Sequence, residues 1–244
     1  MTEPSEVHVD APVSTPLGRV RERVARVIPD HWAYVVPMAV FLVGAQIGAS
    51  FPSTYPYAYV ARAVLTAVAL ILLWPAYTRI RWNGVGLGVL VGVVGIVQWV
   101  PMQLWLQSHF THFKPADDAF DPTAHFQDPV VLWSWIAVRI LSASLVVPVM
   151  EELFWRDFLW RNLIAPADFK LADVGEWDWK AFVVVPIFFA AVHGNWWLTA
   201  IVWGFLVGGL LAYTKSLGAC IVAHGVTNLL LAVYVLHTKQ WYFW

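Results

Sequence analysis

Val146–Asn162, VVPVMEELFWRDFLWRN, closes a long apolar run, yet it holds Glu151, Glu152, Arg156, Asp157 and Arg161 within eleven residues. Charges at such a position are costly in a lipid environment, so each must be paired or functional. The fold therefore turns on whether the run lies in a membrane, and the function on what the charges do there.

Composition answers the first question. Of 244 residues, 59% are hydrophobic and 13% charged, and the mean hydropathy is +0.63. Soluble domains carry about a quarter charged residues, so the chain reads as all-α, a polytopic transmembrane helical bundle. Sixteen Trp and eight Tyr suit the membrane–water interface, where amphipathic rings settle. The formal net charge of -1 is no electrostatic footprint for nucleic acid, and the lipid bilayer is the expected surrounding. The single cysteine, Cys220, excludes an internal disulfide and offers no CxxC metal signature. Residues 1–30 lack the apolar core of a cleavable leader, and KQWYFW at 239–244 is not a lipidation signal.

Apolar runs place about seven membrane helices at 32–50, 58–78, 84–106, 130–163, 181–195, 197–214 and 217–237. A straight crossing takes roughly 20 residues, so 181–195 is a short span and 130–163 exceeds one crossing. Residues 1–30 read as a disordered cytoplasmic tail, and 31–244 as one transmembrane domain with its core at about 130–237. Arg19, Arg21, Arg23 and Arg26 precede the first span, while Arg79, Arg81, Arg161, Lys170 and Lys215 follow the second, fourth and sixth. The loops 51–57 and 107–129 are poor in Lys and Arg, the second bearing Asp117, Asp118, Asp121 and Asp128. The positive-inside rule then predicts a cytoplasmic N-terminus, with those two loops outside. Small residues at four-residue spacing, Gly44/Gly48, Gly84/Gly88/Gly92 and Ala200/Gly204/Gly208/Ala212, predict closely packed helix faces.

Three segments hold most of the polar residues inside the spans. Glu152 and Arg156 are i and i+4 on a helix and can pair. Glu151 is rotated about 100° from Glu152 and its own i+4 neighbour is Trp155, so it has no cation on its helix. Asp157 and Arg161 form a second i, i+4 pair nearer to water, where a structural role is expected. His193 ends the short span in Phe189-x-x-x-His193, and His224 and Asn228 share a face of the last span. Counted along the helices from Arg161, Lys180 and Lys215, Glu151, His193 and His224 lie roughly 15, 20 and 14 Å deep. Equal depth on three helices predicts one polar cavity, at mid-membrane or slightly to the cytoplasmic side. Arg62 is expected to snorkel outward, and His109, His112 and His125 to be solvated loop residues.

These motifs resemble a known family. EExxxR at Glu151–Arg156, FxxxH at Phe189–His193 and HxxxN at His224–Asn228 occur in the order and spacing of the CAAX protease and bacteriocin-processing family of intramembrane endopeptidases, also called Abi or type II CAAX prenyl proteases. The likeness covers about 130–237. YTKSLGACIVAHGVTNL looks like the bacterial branch, and EELFWRDFLWR is similar to an exosortase-associated bacterial subgroup. The resemblance implies a multi-pass hydrolase of the bacterial inner membrane that cuts a peptide or membrane-protein substrate near the cytoplasmic half of the bilayer, with an exosortase system as a candidate partner. It also implies that Glu151 is the general base, that His193 helps to hold and activate a water, and that Glu152 and Arg156 orient the site. His224 and Asn228 would stabilise the oxyanion, and no cofactor would be needed. An alternative reading makes Glu151, His193 and His224 zinc ligands with water in the fourth position. A third is a non-proteolytic transporter or scaffold with a Glu/His proton relay. HExxH is absent, and so is a duplicated half of the transporter kind.

Overall fold

The computed structural model describes residues 15–115 and 119–244. Asp117, Asp118 and residues 1–14 of the expected tail lie outside that range. The remainder of the tail differs from expectation: Pro16–Val27 form a helix, α1. Past Pro16 and Gly18 in its first turn, residues 19–27 carry no Gly or Pro and can propagate helix once started.

All regular structure among the described residues is helical. The membrane-length helices are α2 (Asp30–Ser50), α3 (Tyr55–Leu73, within the span Pro52–Ala76), α4 (Val85–His109), α5 (Pro129–Ile164), α7 (Trp197–Thr214, within Gly194–Thr214) and α8 (Leu217–Thr238). Between α5 and α7 lies the shorter α6 (Trp179–Ala191). Six helices are thus long and apolar enough to cross a membrane, with a seventh short one, as the hydropathy pattern predicts. The chain is a multi-pass membrane protein.

Helix starts follow from local chemistry. Asp128 accepts from Val130 N and Val131 N at 2.7 and 3.3 Å and is followed by Pro129, which has no N–H to leave unsatisfied. Asp178 caps α6 through Ala181 N, and Ser216 caps α8 through Ala219 N.

Close packing of α4 on α8 rests on small residues. A Cβ at Gly88 would stand 2.5 Å from the Ala219 carbonyl oxygen, and one at Gly92 2.7 Å from that of Ala223. Glycine alone permits that approach, which brings the His224 face of α8 inward.

Helix α5 is not a uniform α-helix. Two π-helical segments, Ser142–Val146 and Leu153–Leu159, flank a short α-helical piece, Val147–Glu152. Pro148 cannot supply the N–H that the carbonyl four residues earlier expects, and a widened turn absorbs the mismatch. That carbonyl belongs to Ser144, and α8 approaches it closely: a Cβ at Gly225 would lie 2.7 Å from Ser144 O. One turn on, Asn228 Nδ2 donates to Ala143 O at 2.8 Å. The widened turn thus becomes the docking point for the His224–Asn228 face.

Candidate active site

Glu151 and Glu152 are adjacent yet face different surroundings. Glu152 is fully buried and accepts from Arg156 Nη1 at 3.1 Å, the expected i, i+4 pair. The same oxygen, Oε1, lies 2.8 Å from His224 Nδ1, joining α5 to α8. A carboxylate only accepts, so Nδ1 carries the proton and Nε2 is the ring's remaining nitrogen. The Arg156 guanidinium also sits over the rings of Phe189 and Trp203, 4.9 and 5.4 Å from their centroids. This explains the first motif position by position: Arg156 needs both a carboxylate and aromatic faces to be tolerated where it is wholly buried.

Glu151 points the other way. It is 7% exposed, and among the described residues no protein group hydrogen-bonds to its carboxylate, whose Oε2 is buried. It lines a cavity of about 110 Å³ together with His193, His224, Asn228, Trp99 and Trp203. Four helices, α5, α6, α7 and α8, bring motifs distant in sequence to one small space, and α4 adds Trp99.

His193 reaches the cavity from the turn after α6. Its Nδ1 is 2.6 Å from the carbonyl oxygen of Phe189, one helical turn back, and its ring lies 4.3 Å from the Phe189 ring. A carbonyl cannot donate, so Nδ1 again bears the proton, and Nε2 of the neutral ring is an acceptor. The Phe-x-x-x-His spacing thereby fixes both ring and tautomer. His224 is held differently, between Glu152 and the ring of Trp203 at 4.6 Å. Asn228 spends one N–H on Ala143 O and keeps a second.

All six sequence-predicted site residues come together, four lining the cavity and Glu152 and Arg156 behind it. Trp99, Trp203 and Thr227 were not singled out by the motifs, because apolar and hydroxyl residues in spans carry no distinctive signal. Among the described residues no three His, Cys, Asp or Glu side chains are grouped to hold a metal ion. Glu151, His193 and His224 share the cavity without forming such a ligand set.

Other polar residues depart from expectation. Asp157 and Arg161 pair as expected but are buried rather than marginal. Tyr34 donates to Asp157 at 2.9 Å, while Arg161 donates to Thr78 and to the Ala172 and Lys170 carbonyls. The pair ties α2 and two connecting loops to α5. Arg62 does not reach simply outward: its guanidinium lies 4.7 Å from the Phe41 ring centroid and 4.5 Å from that of Tyr59. Arg139 is buried against the other side of this cluster, bonding the Tyr55 hydroxyl at 2.7 Å.

Asn195, two residues past His193, donates to Lys114 O at 2.9 Å, in the loop that follows α4. A second cavity, of about 550 Å³, is lined by Tyr55, Phe120, Trp196, Tyr242, Trp244 and again His193. His193 therefore also borders the end of the bundle that carries Lys114, whereas His224 lies in the half of α8 nearer Leu217.

Comparison with protein families decides the class of molecule. Residues 133–230 match the family described as type II CAAX prenyl endopeptidase Rce1-like. The likeness is to this segment and not to the whole chain. The matching segment runs from α5 into α8 and contains all six motif residues, whereas Trp99 and helices α1–α4 lie outside it. No curated protein and no solved structure matches the chain. The match points toward a membrane-embedded protease.

Proposed function

We propose that the chain is a glutamic-type intramembrane endopeptidase. The observation that carries this reading is the Glu151 carboxylate, which has no hydrogen-bond partner among the described residues and faces a cavity shared with two imidazoles and a carboxamide.

In this mechanism Glu151 takes a proton from a water that also donates to Nε2 of His193. The resulting hydroxide equivalent attacks the scissile carbonyl carbon. Charge developing on the carbonyl oxygen is met by Nε2–H of a protonated His224 and the second N–H of Asn228. Glu151 then returns its proton to the departing amine as the C–N bond breaks. Glu152 accepts from His224 and Arg156 and so holds the oxyanion side in place.

Chemistry without a metal is part of this proposal. It is supported by the donor set at the site, in which no three His, Cys, Asp or Glu side chains are grouped among the described residues. The endopeptidase match favours hydrolysis over the proton-relay reading. We place the protein in a bacterial inner membrane with its N-terminus cytoplasmic, on the strength of the Arg-rich ends. The EELFWRDFLWR run supports an exosortase-linked substrate. The 550 Å³ cavity at His193 would then be the route by which peptide arrives.

The test compares the membrane peptides of cells carrying the native chain with those carrying Glu151→Gln. An uncut precursor should accumulate only in the variant, and identical peptide sets would count against proteolysis through Glu151.

A further inference from the structure

A cavity of about 590 Å³ opens at the end of the bundle opposite the 111–120 loop, and it shares no residue with the catalytic cavity. Three connections form it: 78–82 between α3 and α4, 173–174 between α5 and α6, and 215–217 between α7 and α8. Its charged lining is Arg79, Arg81, Arg161 and Lys215 against a single acid, Asp173. Arg161 is already balanced by Asp157, which leaves three cations facing one carboxylate.

Arg79 and Arg81 are exposed, and among the described residues neither makes an ion pair. Their backbone is nonetheless fixed. Ser216 Oγ and Gly218 N both donate to Arg81 O, at 2.8 and 3.0 Å, and Asn83 Nδ2 donates to Thr214 O at 2.7 Å. Thr78 N donates to the Tyr34 hydroxyl, and Thr78 Oγ1 accepts from Arg161. Lys215 holds a left-handed backbone, φ 53°, while its ammonium donates to Gly175 O and keeps further N–H groups. Cations on a pinned frame, in excess over nearby acid, form a preorganised receptor for an anion.

Two features specify the anion. Guanidinium forks match the oxygens of a phosphate group. The rim is also interfacial: Trp82 is exposed at the pocket, and Trp74, Trp177 and Trp179 are exposed near the same ends of α3 and α6. Such a belt lies at headgroup depth, with Leu217 offering apolar surface beneath.

We propose that this pocket binds a phosphate ester, the phosphodiester of an anionic lipid or a soluble phosphate. Bound there, the ligand would clamp three connections together, including the one that follows α5 and the one that leads into α8.

Native mass spectrometry of the full chain in detergent tests it, with phosphatidylglycerol, phosphatidylcholine and inorganic phosphate as probes. Phosphatidylglycerol is expected to be retained over phosphatidylcholine. At roughly fivefold per cation near an anionic headgroup, Arg79→Gln with Arg81→Gln should weaken it about thirtyfold. Both side chains are exposed, so the variant should keep the native melting temperature. Lys114→Gln with Lys239→Gln removes two exposed cations at the other end and should change little. Retention of inorganic phosphate without phosphatidylglycerol would identify a soluble ligand at the same site. Equal retention of both lipids with no phosphate bound, or equal losses in the two double variants, would overturn the proposal.

Discussion

His224 Nδ1 and Glu152 Oε1 lie 2.8 Å apart across two helices, and the same carboxylate oxygen is 3.1 Å from Arg156 Nη1. Glu152 thus joins the guanidinium that neutralises it to the imidazole facing the cavity. Removing one member of a wholly buried ionic set leaves the others uncompensated, which costs about 3–5 kcal/mol. Glu152→Ala is expected to lower the melting temperature markedly and to abolish cleavage. Glu152→Gln keeps an acceptor and should recover much of the stability without full activity. Thermal unfolding and cleavage rate, measured on the same preparations, check both outcomes.

Asn228 acts in two directions, toward Ala143 O and toward the cavity. Asn228→Ala should reduce kcat by about 10²–10³, the usual consequence of losing one oxyanion donor, with little change in KM. A rise in KM with kcat unchanged would assign Asn228 to substrate binding instead.

Gly225 is the residue through which α8 meets the widened turn of α5. Gly225→Ala puts a Cβ 2.7 Å from Ser144 O, so the helices must part. Overpacking of this kind costs about 1–3 kcal/mol. Because His224 and Asn228 ride on α8, activity should fall more than stability does. Comparing unfolding with cleavage rate separates the two effects.

Complete metal removal should leave the purified enzyme active. Chelation followed by metal analysis and a cleavage assay provides the check, and activity lost on chelation and regained with zinc would favour the ligand reading of Glu151, His193 and His224.

Much of this architecture is legible in the sequence for simple reasons. Apolar runs of membrane length find the spans, and i, i+4 spacing finds Glu152–Arg156 and Asp157–Arg161. The division between Glu151 and Glu152 follows from the 100° between consecutive helical residues. The His224–Glu152 contact is not legible, since it depends on how α8 docks on the π-widened turn set by Pro148. Nor is the contact of the 111–115 loop with Asn195, beside His193. The same holds for Arg62 and Arg139, whose aromatic surroundings are assembled from separate helices.

The central claim is that the Glu151 carboxylate activates the water. Glu151→Gln preserves size and removes the base, and no hydrogen bond among the described residues is lost with it. Single-turnover cleavage by the purified native and variant chains measures the consequence directly. The variant should keep the native melting temperature and lose at least about 10²–10⁴ of the rate, the range general-base catalysis supplies. A folded Glu151→Gln protein that cleaves at the native rate would contradict the account.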